Sequence, residues 1–170
     1  MHHPVRSPYR IALAASAAAL LVLAGCASQV PLDGKSGPVS AAEAAAQAEA
    51  SRIAAAKAEL GKVKPNVYFD FDKFDIKAQY QPTITAFANY LKADGKARLV
   101  IEGNADERGT TEYNLALGQK RSEAVKKALG VLGVPANRVE AISNGEEKPR
   151  AKGSSEAAWA ENRRADLIVK

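Results

Sequence analysis

Apolar positions change their spacing several times between Asn66 and Lys170, and each change marks an element. Val67, Phe69 and Phe71 alternate with polar residues, the two-residue period of a half-buried strand over Val67–Phe71. Ile84, Phe87, Ala88 and Leu91 then recur at helical spacing and predict a helix over Ala78–Ala93. A second strand is read at Arg98–Gly103 and a second helix at Thr111–Leu132, stopped by Gly133 and Pro135. Arg138–Ser143 forms the third strand, Ser155–Glu161 a short helix, and Ala165–Val169 the last strand. This βαβαβ order with a final strand predicts an α+β domain, a mixed sheet with helices on one face, spanning residues 64–170.

Upstream the pattern differs. Arg6 and Arg10 precede an apolar run from Ile11 to Ala24, and small residues lead to Cys26; residues 1–25 read as a cleaved secretory signal. Leu23-Ala24-Gly25-Cys26 resembles the lipobox of bacterial lipoproteins, which implies acylation of Cys26. No aspartate follows the cysteine, so the same resemblance implies sorting to the outer membrane, with the remaining chain facing the periplasm. Residues 26–63 are expected to be a spacer. Its first part, Ala27–Val39, is rich in Pro, Gly and Ser and reads as a leash. Its second part, Ser40–Leu60, is alanine-rich, with Ser40 and Glu43 at capping-box spacing. Only Ile53 and Leu60 are large and apolar there, so a solvent-exposed helix is predicted, rising about 1.5 Å per residue.

Composition removes much chemistry. Cys26 is the only cysteine, and both histidines, His2 and His3, lie in the signal. Histidine- and thiol-based catalysis and the usual zinc sites are therefore excluded, and neither metal nor cofactor is expected. Losing Arg6 and Arg10 leaves 22 of the 24 basic side chains against 19 acidic ones, a net +3 that is interleaved along the chain. That is a mixed solvated surface, with no nucleic-acid signature.

One residue violates the pattern. Arg121 falls four residues from both Leu117 and Val125, on the apolar stripe of the second helix. An unpaired charge there would cost several kcal/mol or more, so it needs a carboxylate, a solvent-open pocket or a bound anion. Asp106, in the turn before the helix, is the natural carboxylate, and together the two suggest a site for a small zwitterion. Asp106 could instead close the turn Asn104–Gly109, Asp72 and Asp75 could be turn or cap residues, and Arg108 could be an exposed loop charge. Glu102 with Asp106 or Glu107 offers a carboxylate pair that could cleave a glycan, but turn carboxylates are more often caps or ion-pair partners, and no enzyme is expected.

Four blocks then carry a resemblance: Val67-Tyr68-Phe69-Asp70-Phe71-Asp72-Lys73-Phe74-Asp75-Ile76, Glu102 through Arg121, Gly145-Glu146-Glu147-Lys148-Pro149, and Glu161-Asn162-Arg163-Arg164-Ala165. In this order they resemble the OmpA-like peptidoglycan-binding domain family, and its lipid-anchored members in particular. Thr111, Asn144 and Lys170 depart from the residues common in that family. The resemblance implies non-covalent recognition of the diaminopimelate residue in the peptidoglycan stem peptide. It implies Asp106 and Arg121 as the main ligand pair, Asp72, Arg108 and Leu117 lining the same pocket, and Thr110 and Asn114 as neighbours. Arg163 and Arg164 are left out, since one of them is expected to pair internally. The implied partners are peptidoglycan, the outer membrane through lipid on Cys26, and TolB with the other Tol proteins; a wall-binding lipoprotein outside the Tol system is the alternative.

Overall fold

The computed structural model describes residues 40–170. The signal, the lipidation position Cys26 and the leash lie outside the described residues.

Helix α1 (Ala41–Leu60) begins with the expected capping box: Ser40 accepts from the Glu43 backbone, and the Glu43 carboxylate accepts from the Ser40 backbone. Its first dozen residues are exposed. The expectation of a wholly solvent-exposed spacer is corrected at its other end, where Ile53, Ala56 and Leu60, with Val63 just beyond, pack against the domain core. These residues recur at helical spacing, so two large side chains and an alanine suffice for a narrow seam, which lies along α2.

Strand β1 (Asn66–Tyr68) is followed by a 3₁₀ turn (Ala78–Tyr80) that leads into α2 (Gln81–Ala93). Then come β2 (Leu99–Asn104), α3 (Thr111–Val131), β3 (Val139–Gly145), α4 (Glu156–Asn162) and β4 (Arg164–Val169). The sheet order is β1-β4-β2-β3, with β2 parallel to β3 and β4 antiparallel to both of its neighbours. Strand β1 stops three residues earlier than its apolar alternation predicts. Its partner β4 begins at Arg164, opposite Tyr68, so beyond that point only the Phe69 N–H to Arg163 carbonyl bond remains.

Alternation sorts the two sheet faces. Val67, Leu99, Ile101, Val139, Ala165 and Leu167 point into the core with Ile84, Phe87 and Leu91 of α2 and Val125 and Leu129 of α3. On the other face, Glu102 pairs with Lys148, and Asp166 with Arg150 and Arg164. Among the described residues no helix is long and apolar enough to cross a membrane.

Helix α3 crosses the sheet on two glycines. A Cβ placed on Gly103 of β2 would stand 1.8 Å from the Gly118 carbonyl oxygen, and one on Gly118 would stand 2.7 Å from the Gly103 carbonyl oxygen. Only backbone against backbone allows this approach. It fixes the height of α3 over the sheet, and with it the adjacent Leu117 and, one turn to either side, Asn114 and Arg121.

Candidate functional site

At the end of β2 and the start of α3 lies a cavity of about 210 Å³ lined by Phe71, Asp72, Asp106, Arg108, Gly109, Tyr113, Asn114, Leu117 and Arg121. The fold thus gathers six sequence-predicted residues, Asp72, Asp106, Arg108, Asn114, Leu117 and Arg121, from the loop after β1, the turn after β2 and one face of α3. The seventh, Thr110, is not among the lining residues. It is the N-cap of α3, its hydroxyl accepting from the Tyr113 N–H at 3.2 Å.

Arg121 is 0% exposed. Direct pairing with Asp106 was the natural expectation, and the structure corrects it. The guanidinium donates instead to three backbone carbonyls: Lys73 (Nε, 2.9 Å), Asn104 (Nη1, 2.8 Å) and Asp70 (Nη2, 3.1 Å). One side chain therefore ties the loop after β1 and the end of β2 to α3, with its plane near the Phe69 ring. Burial draws its pKa below the ordinary guanidinium value to about 10, opposed by the charges of Asp106 and Asp72. It remains a cation at neutral pH. Among the described residues no carboxylate lies in ion-pair contact with it, so its field reaches the cavity without a direct counter-charge.

Asp106 is 4% exposed and is held by other arginines. Arg108 grips it through Nε (3.0 Å) and Nη2 (2.7 Å) and also donates its backbone N–H (3.1 Å). Arg163 adds an Nη1 contact at 3.3 Å. Burial pushes the Asp106 carboxyl up, but these hydrogen bonds and charges outweigh it and hold the group below the ordinary carboxylate value. Arg108 is therefore no free loop charge: its guanidinium is also stacked between Phe71 and Trp159, 4.0 and 4.1 Å from the two ring centroids.

Asp72 sits at φ 55°, in the left-handed region that an aspartate tolerates better than most side chains. It accepts a hydrogen bond from the Tyr113 hydroxyl, which raises the Tyr113 pKa. Asn114 donates to Glu146, which presents its side chain from the β3–α4 connection. Both Arg163 and Arg164 pair internally, the first with Asp106 and Glu156, the second with Asp166.

Sequence reading missed Phe71, Gly109 and Tyr113 as cavity residues, and Arg163 as a partner of Asp106. Phe71 and Tyr113 are 55% and 49% exposed, yet Phe71 continues the apolar alternation of β1 and Tyr113 stands four residues before Leu117, so apolar spacing reads both as core. Gly109 at φ 112° turns the chain from Arg108 into Thr110, the N-cap of α3. The carboxylate pair weighed for glycan cleavage is not assembled. Glu102 accepts from Asn144 at 2.8 Å and Lys148 at 3.1 Å, is held ionised by them, and does not line the cavity.

Together these features define a small α+β domain whose cavity is lined by a fixed, buried cation and two carboxylates. A model of the OmpA family matches residues 68–163. The chain is 40% identical over 164 residues to the peptidoglycan-associated lipoprotein of Brucella melitensis, covering 96% of this chain and 92% of that one. It is 50% identical over 110 residues to the peptidoglycan-associated lipoprotein of Haemophilus influenzae, covering 65% and 72% of the two chains. The crystal structure of the peptidoglycan-associated lipoprotein from Burkholderia pseudomallei matches with a TM-score of 0.62 at 55% identity, over 63% of this chain and 91% of that one. The chain belongs to the OmpA family, in which these relatives are peptidoglycan-associated lipoproteins.

Proposed function

We propose that the cavity binds the diaminopimelate residue of peptidoglycan stem peptides, and that the chain is a non-enzymatic tether between the outer membrane and the cell wall. The observation that carries this reading is the buried Arg121. Its guanidinium is locked by three carbonyls, borders the cavity, and has no carboxylate in ion-pair contact among the described residues. A ligand carboxylate beside it gains a charge-assisted, planar hydrogen-bonding partner whose orientation is already fixed. An ammonium on the same ligand carbon finds Asp106 and Asp72 among the residues that line the same cavity. Leu117, Phe71 and Tyr113 supply apolar surface for the aliphatic part of the ligand.

The rest of the chain serves this grip. Lipid on Cys26 holds the outer-membrane end, and α1 leads into the domain that grips the wall. Several acyl chains on one cysteine anchor far more firmly than the marginal binding of a single chain. The same resemblance supports TolB and the Tol complex as protein partners in envelope constriction, which co-purification from cross-linked envelopes tests.

For the binding reading the test is co-sedimentation of the full chain, in detergent, with sacculi of the diaminopimelate type. Wild type pellets and is released by excess soluble stem peptide. Asp106→Ala and Arg121→Ala, checked for folding, stay in the supernatant. Pelleting of folded variants at the wild-type level would overturn the reading, and release of muropeptides would turn it toward an enzyme.

A further inference from the structure

Trp159 is the only tryptophan in the chain and stands on α4, outside the residues that line the cavity. Its indole ring nevertheless covers one face of the Arg108 guanidinium at 4.1 Å, while Phe71 covers the other at 4.0 Å. That same guanidinium takes both oxygens of Asp106. The indole is itself fixed, donating Nε1–H to Glu107 Oε1 at 3.1 Å. Helix α4 thus reaches the cavity carboxylate through an intermediary and without touching the cavity.

We infer that Trp159 is a positioning residue for the ligand site, its ring face holding Arg108 flat against Asp106 and so fixing how that carboxylate meets a ligand ammonium. The inference rests on the wall-binding reading above. A long arginine on a partly exposed turn samples many rotamers, and confining it costs conformational entropy on every binding event. Two aromatic faces meet that cost in the free protein, because a planar cation is attracted to both rings at once. Phe71 alone cannot do this, since it stands on a loop and is more than half exposed. Trp159 is half-buried on a helix, which makes it the fixed side of the sandwich.

A merely structural Trp159 would pack α4 and nothing more. The two roles separate in Trp159→Phe, which keeps a ring face without the indole N–H, and Trp159→Leu, which keeps apolar bulk without a ring. The full chain in detergent is assayed in two ways: sedimentation with diaminopimelate-type sacculi, and the NMR signal of the Arg108 Nε–H. The expected result is binding within about twofold of wild type for Trp159→Phe and about 5- to 20-fold weaker for Trp159→Leu. The Arg108 signal should stay ring-shifted in Trp159→Phe and move to the position of a free arginine in Trp159→Leu. Wild-type binding by Trp159→Leu would overturn the inference, as would equal losses in both variants, which would assign the effect to the Glu107 bond. If wild type itself does not bind sacculi, the wall reading fails and takes the ligand half of the inference with it. An Arg108 signal unmoved in Trp159→Leu overturns the positioning role on its own.

Discussion

Helix α3 contains two glycines whose replacement by alanine should have opposite effects. At Gly130 an added Cβ meets nothing within 4 Å, so the substitution only removes the helix penalty of glycine and should stabilise by about 0.5–1 kcal/mol. At Gly118 the same Cβ would fall 2.3 Å from the Ser143 hydroxyl and 2.7 Å from the Gly103 carbonyl oxygen. The hydroxyl cannot simply turn away, because it donates to the Leu115 carbonyl at 2.6 Å and accepts from the Gly145 N–H at 3.1 Å. Overpacking against backbone costs about 1–3 kcal/mol and the displaced hydrogen bonds about 1 kcal/mol each, against a helix gain of about 1 kcal/mol. A net loss of about 3 kcal/mol is expected for Gly118→Ala. Equilibrium urea unfolding of the full chain, followed by circular dichroism, measures both effects as shifts in midpoint. Wall binding should fall with Gly118→Ala as well, since Asn114, Leu117 and Arg121 ride on the displaced helix. A loss below about 1 kcal/mol at Gly118, or a comparable loss at Gly130, would refute the claim that the glycine contact sets the height of α3.

Three further outcomes follow from the same contacts. Replacing Arg121 by Met strands the buried Asn104 carbonyl and frees two loop carbonyls, and should cost about 2–4 kcal/mol in urea unfolding, with faster amide exchange over residues 70–73. The Asp106 carboxyl is depressed in the folded state, so its contribution is present above the unfolded value near 3.8 and is lost as pH falls through the lower folded value; wild type should lose stability below about pH 4 and Asp106→Asn should show a shallower decline. Leu60→Ser should loosen α1 from the domain, seen as faster amide exchange in α1, and leave sacculus binding unchanged because the seam is remote from the cavity residues.

What sequence could and could not disclose divides along physical lines. Elements with a clean period were legible: α2, α3 and strands β2, β3 and β4 lie close to their expected bounds. Arg121 was also legible as a buried charge, because helical spacing from Leu117 and Val125 fixes its face. Its partners were not, since it bonds to backbone carbonyls, which every residue owns and no residue type announces. The contact between Arg163 and Asp106 depends on β4 inserting between β1 and β2, a pairing across 57 residues that no local pattern encodes. The α1 seam was overlooked because Ile53, Ala56 and Leu60 are too few to dominate an alanine-rich period, although they suffice once α2 offers a surface. Phe71 extended the apolar alternation of β1 on paper, yet it lies beyond the strand and shapes the cavity mouth.

Binding of a stem peptide in the cavity is tested most directly by titrating the isotope-labelled full chain with a soluble diaminopimelate-containing stem peptide and mapping the amide shifts. Saturable shifts at Phe71, Asp72, Gly109, Tyr113, Asn114 and Arg121 are the expected result. Shifts confined to the open sheet face or to the groove between α3 and β3, or none at saturating peptide, would contradict it.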